Sequence, residues 1–154
     1  MLQLWQMIEQ GRPHDVAKAI LTYPRGKELM LINDIEGKNA FFRAIFIPDE
    51  AECIKTLQYL VKYGGNIRHC DKNNQNVVYF AAKNEKEEVI KYLLTFDFNL
   101  NTDDFFCQTP LFYSAKFNTR CGIASALLRA GCDVNHRDNN GQTCLFYAAG
   151  AGNI

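Results

Sequence analysis

The chain repeats itself. Asp34-Ile-Glu-Gly37-Lys-Asn39, Asp71-Lys-Asn-Asn74-Gln-Asn76, Asp104-Phe-Phe-Cys107-Gln-Thr109 and Asp138-Asn-Asn-Gly141-Gln-Thr143 share one pattern, and their aspartates stand 37, 33 and 34 residues apart. An apolar run of one type follows each: AFFRAI from Ala40, VVYFAA from Val77, PLFYSA from Pro110 and CLFYAA from Cys144. Later in the period comes a second motif, YLVKYGGNIR ending at Arg68, YLLTFDFNLN ending at Asn101 and ALLRAGCDVN ending at Asn135. Self-similarity at this period marks a repeat architecture, in which one unit cannot bury its apolar face alone and neighbouring units supply the core.

Each recurring residue has a physical reason to be there. The threonine and aspartate sites suit side-chain capping of unpaired amides at a helix start, Pro110 suits a first helical turn, and the alanines let two helices approach closely. Gly64 and Gly131 suit a left-handed residue ending a second helix. Here the pattern becomes specific: Thr109-Pro110-Leu111-Phe112-Tyr113-Ser114-Ala115 resembles the Thr-Pro-Leu-His-x-Ala motif of ankyrin repeats, with phenylalanine at the histidine position. Gly131-Cys132-Asp133-Val134-Asn135 is similar to the Gly-Ala-Asp-Val-Asn ending of the same family.

The resemblance implies an all-α solenoid of stacked helix-turn-helix units joined by short β-hairpin-like loops, with residues 1–154 forming one array. The units run 1–33, 34–70, 71–103, 104–137 and 138–154. The first is an irregular cap with helices at 2–10 and 13–21. The second carries an insertion at Ile47-Pro48-Asp49-Glu50 between its helices. The last stops where its second helix is due, which leaves Leu145, Phe146 and Tyr147 uncovered; a longer natural chain is expected, and end-to-end association through this open unit is an alternative to a monomer. At the family's histidine position, Phe42, Tyr79, Phe112 and Phe146 are expected to pack, and His69 and His136 to face solvent on the hairpins.

Composition narrows function by exclusion. Seventeen basic and seventeen acidic side chains cancel, with no block of like charge that would favour nucleic acid. The longest apolar stretch, near Ala40 to Ile47, is far below the roughly 20 residues that span a bilayer, so membrane insertion is not expected. No secretory signal opens the chain, which points to an intracellular address, cytoplasmic or nuclear, and to reduced thiols for the cysteines at 53, 70, 107, 121, 132 and 144. His136-Arg137-Asp138 spells the tripeptide of a kinase catalytic loop, but no glycine-rich phosphate loop accompanies it. Cysteine and histidine never take zinc-ligand spacing. No catalytic residue, cofactor or metal is therefore assigned.

What remains is recognition of another protein or peptide. In ankyrin proteins the hairpin tips and inner helices form the partner groove, and the variable positions there are Ile35, Glu36, Lys38, Phe46 and Ile47 in the second unit. They are Lys72, Asn73, Gln75, Lys83 and Asn84 in the third, Phe105, Phe106, Gln108, Lys116 and Phe117 in the fourth, and Asn139, Asn140 and Gln142 in the fifth. Phe105, Phe106 and Phe117 stand out as aromatic anchors ringed by polar groups. The expected role is a non-catalytic scaffold or adaptor. The alternative is a regulatory or substrate-recognition segment of a larger enzyme such as a kinase or lysine methyltransferase.

Overall fold

The structure, a computed structural model, describes residues 6, 10, 14–16, 18, 28, 32–117 and 121–153. The predicted helices at 2–10 and 13–21 lie mostly outside the described residues; Gln6 and His14–Val16 are helical. From residue 32 onward the helices are α1 (Ala40–Ala44), α2 (Glu50–Lys62), α3 (Val77–Lys83), α4 (Glu87–Leu93), α5 (Pro110–Phe117), α6 (Gly122–Arg129) and α7 (Cys144–Ala151), with no strand among the described residues. Residues 1–72 and 73–154 form two compact units.

In the first unit α1 packs on α2. Phe41, Phe42, Ile45, Leu57 and Leu60 are buried between them. In the second unit α3 packs on α4 and α5 on α6, while α5 lies between α3 and α7 and α4 touches α6. The core there is Val78, Tyr79, Val89, Ile90, Leu93, Phe112 and Leu127, all essentially without solvent contact.

Asparagine and aspartate side chains cap the helix starts. Asn39 Oδ1 accepts from Phe41 N at 3.1 Å and Asn76 Oδ1 from Val78 N at 2.9 Å, capping α1 and α3. Asp49 caps α2 in the same manner through Glu52 N at 2.8 Å. The threonines do not cap as expected: Thr143 makes no side-chain cap bond, and Thr109 Oγ1 is buried with no hydrogen-bond partner among the described residues.

Helix ends follow glycine. Gly64 takes φ +91° and Gly131 φ +97°. Gly65 N donates to Leu60 O at 2.9 Å and Cys132 N to Leu127 O at 3.1 Å, closing the carbonyls that each helix leaves open. Asp97 occupies the corresponding place after α4 without entering the left-handed region, and the chain turns there through Phe96 N on Leu93 O and Phe98 N on Phe96 O instead.

Three expectations are corrected. Ile47, assigned to the variable surface, is 1% exposed because the insertion after α1 folds it inward. Phe146, expected to pack like Phe42, Tyr79 and Phe112, is 57% exposed, since no described element follows α7 to cover it. His69 and His136 are half-buried rather than solvent-facing. His69 Nε2–H donates to Gly37 O at 2.7 Å and His136 Nε2–H to Cys107 O at 3.1 Å, and each ring meets a buried phenylalanine edge-on, Phe42 and Phe112 respectively.

Positive φ recurs at one place in every hairpin: Gly37 (80°), Asn74 (60°), Cys107 (53°) and Gly141 (71°). Cys107 is the costly member, because a side chain other than asparagine is strained there. Cys107→Gly is expected to raise stability by about 1 kcal/mol, read as a higher urea midpoint at unchanged slope. An unchanged or lowered midpoint would show that this backbone is not strained.

Candidate partner-binding surface

Asp34, Asp104 and Asp138 each fold a tip. Asp104 Oδ1 accepts from Phe106 N at 2.9 Å and Gln108 N at 3.0 Å; Asp138 Oδ1 accepts from Asn140 N at 2.9 Å and Gln142 N at 3.0 Å. Asp34 does the same with Glu36 N and Lys38 N, both at 2.9 Å. The aspartates thus cap tip amides rather than helix amides. The second carboxylate oxygen ties units together: Asp104 Oδ2 accepts from Gln75 Nε2 and Tyr113 OH, each at 2.7 Å, and Asp138 Oδ2 from Gln108 Nε2 at 2.9 Å and Tyr147 OH at 2.6 Å. Gln and Tyr therefore form a ladder of buried hydrogen bonds running from one repeat to the next.

Main-chain bonds join the tips as well. Phe105 N donates to Asn73 O at 3.2 Å, Asn139 N to Phe106 O at 3.2 Å and Asn139 Nδ2 to Phe105 O at 3.1 Å. With Phe106 N held by Asp104, all four main-chain polar groups of Phe105 and Phe106 are satisfied from within. Their rings are 67% and 58% exposed. The result is a fixed backbone that displays two apolar side chains.

The remaining predicted surface residues divide clearly. Asn73, Lys83, Asn139, Asn140 and Gln142 are exposed or half-exposed on the same unit as Phe105 and Phe106, and Lys72 is exposed in the other. Phe117 is 47% exposed at the end of α5, stacked on Tyr113 at 6.2 Å with Lys83 Nζ 5.6 Å from its ring. Gln75 and Gln108 are corrected: they are buried ladder members, unavailable to a partner. Lys116 is half-buried, donating to Gln108 Oε1 at 2.7 Å with its ammonium 4.1 Å from the Tyr147 ring. Sequence reasoning missed Tyr113 and Tyr147 as structural partners, although each stands nine residues after its aspartate.

Residues 4–104 and 49–138 match the family model described as ankyrin repeats in three copies. The chain belongs to the ankyrin-repeat family. Two ankyrin repeat proteins of Acanthamoeba polyphaga mimivirus are similar to it: one is 27% identical over 123 residues, covering 76% of this chain and 15% of the relative. The other is 33% identical over 75 residues, covering 48% and 10%. Inversin of Danio rerio is 33% identical over 81 residues, 53% of this chain and 8% of its own length. The chain therefore spans only a small part of the relatives it matches. Ankyrin repeats are generally protein–protein interaction modules and are typically non-catalytic. Among the described residues no three His, Cys, Asp or Glu side chains converge, and no helix is long and apolar enough to cross a membrane.

The electrostatics of these ankyrin units support the frame. At Asp138 burial pushes the carboxyl up, but hydrogen bonds from Tyr147, Gln108 and the Gln142 and Asn140 amides outweigh it and hold the group at about 2. Its folded value lies below the ordinary 3.8, so its stabilisation is complete above that ordinary value and fades as pH falls toward the folded one. Urea midpoints measured across that window are expected to drop less steeply in Asp138→Asn than in the parent, and parallel curves would count against the assignment. Burial lowers the Lys116 amine, opposed by Asp138 and Asp104.

Proposed function

We propose that this chain is a non-catalytic interaction module that holds a partner protein or peptide on the hairpin tips and inner helices of residues 73–153. The observation that carries the reading is the pair Phe105 and Phe106: large apolar rings, more than half exposed, on a backbone whose hydrogen bonds are complete without a partner. Exposed aromatic groups on a rigid support, rimmed by amides, are the composition of an interface centre. Phe117 extends the apolar surface along α5, and Asn73, Asn139, Asn140 and Gln142 supply the polar rim. Among the predicted surface residues Lys72 lies outside this unit, and Gln75 and Gln108 serve the frame. An intracellular setting, cytoplasmic or nuclear, belongs to this proposal.

A photo-reactive benzoylphenylalanine at position 106, compared with one at Glu88 on α4, tests this in cells. A defined protein adduct from position 106 and none from 88 is the expected result. Equal labelling from both positions, or none from 106, would remove the tips as the binding surface.

A further inference from the structure

Charge is unevenly spread across residues 73–153: the cations Lys86, Lys91 and Arg129 accompany the carboxylates at α4 and α6, whereas the tips and inner helices carry no exposed carboxylate. The exposed carboxylates there are Glu85, Glu88, Asp97 and Asp133, which lie in the turn after α3, on α4, after α4 and after α6. Glu87 and Asp103 are half-buried beside Lys91 and His136. Asp104 and Asp138 are buried, with both oxygens of each engaged. The tips and inner helices carry the opposite sign: Lys83 at the end of α3, Lys116 on α5 and Arg137 at the foot of the last tip. Lys116 is held within the frame by Gln108 and Tyr147. Lys83 is exposed, and among the described residues its ammonium meets the Phe117 ring and no carboxylate.

We propose that this face takes an acidic segment of the partner protein, whose carboxylates pair with Lys83 and Arg137 and whose apolar side chains cover Phe105, Phe106 and Phe117. The inference rests on the interaction reading above and names the chemistry of its partner. Complementary charge selects the partner, and the three rings supply the buried contact. Strand addition is excluded as the mode of recognition at this tip, because Phe105 and Phe106 have no main-chain donor or acceptor left to offer. A nucleic acid is the less favoured polyanion, since the two tip rings stand among asparagine amides rather than among cations that would track a phosphate backbone.

The test pans a random peptide display library against the full chain and titrates the selected peptides by fluorescence anisotropy. Four proteins are compared: the parent, Phe105→Ala/Phe106→Ala, Lys83→Glu and, as a control, Glu88→Lys, each checked for parental thermal stability. Enriched peptides are expected to combine Asp or Glu with aromatic or aliphatic residues. Their affinity is expected to fall about tenfold or more in the first two variants, to weaken with added salt, and to be unchanged in Glu88→Lys. Neutral or basic peptides that still depend on Phe105 and Phe106 would overturn the acidic class and leave the interaction reading standing. Peptides indifferent to both variants, or no enrichment at all, would overturn both. An oligouridine strand that binds the parent and is lost with Lys83→Glu would overturn the proposal in favour of nucleic acid.

Discussion

Asp104→Ala is expected to lower stability by about 3–4 kcal/mol, the largest single-site effect this chain offers away from its apolar core. The side chain is 4% exposed and receives four hydrogen bonds, from the Phe106 and Gln108 amides, Gln75 Nε2 and Tyr113 OH. Truncation removes an acceptor shared by four donors in or near the interior, and a buried donor that loses its acceptor costs more than the pair contributed, although Gln75 Nε2 keeps its bond to Tyr113 OH at 2.6 Å. Asp104→Asn is expected to cost roughly half as much. The amide keeps an oxygen for the two tip amides, but its nitrogen cannot accept from Gln75 or Tyr113. Urea denaturation of both variants checks the order. Near-equal losses would mean that the tip amides alone carry the effect and that the ladder contributes nothing.

Gly65→Ala is the second large effect, at about 2–3 kcal/mol. A Cβ there would lie 2.7 Å from Phe41 Cε2 and 2.9 Å from Leu60 O, so it presses on a ring that is 1% exposed and on helix backbone, neither of which can move aside. The adjacent Gly64 is the control. No atom lies within 4 Å of its would-be Cβ, and the cost of Gly64→Ala comes only from holding φ at +91°, about 1 kcal/mol. If Gly64→Ala proves the more damaging, crowding against Phe41 is not what requires glycine at residue 65.

The turns and helices were legible because their determinants are local. Asp34, Asp104 and Asp138 fold tips through amides two and four residues away, Gly64 and Gly131 supply left-handed helix ends, and the spacing alone locates all of them. Phe105, Phe106 and Phe117 came out exposed, as their place in the period predicts. Gln75 and Gln108 did not, because a polar residue on a turn defaults to solvent unless its partner is known, and that partner is 29 or 30 residues along the chain. A signal existed nonetheless. Glutamine recurs at 75, 108 and 142 and tyrosine at 113 and 147, and a polar residue that keeps the repeat's own period is more consistent with joining repeats than with contacting a unique partner. His69 misled for a related reason: residue type suggested solvent, whereas its ring is held by Gly37 O and by Phe42.

The ladder also divides labour within each tip. Everything that keeps Phe105, Phe106, Asn139 and Asn140 in place comes from main-chain groups, from Asp104 and Asp138, and from the Asn139 amide. The Phe105 and Phe106 rings, more than half exposed, take no part in those bonds. Such positions can be rewritten without rebuilding the fold, so a change of specificity here need not pass through an unstable intermediate. A lineage carrying this scaffold could drift from one partner to another one tip residue at a time.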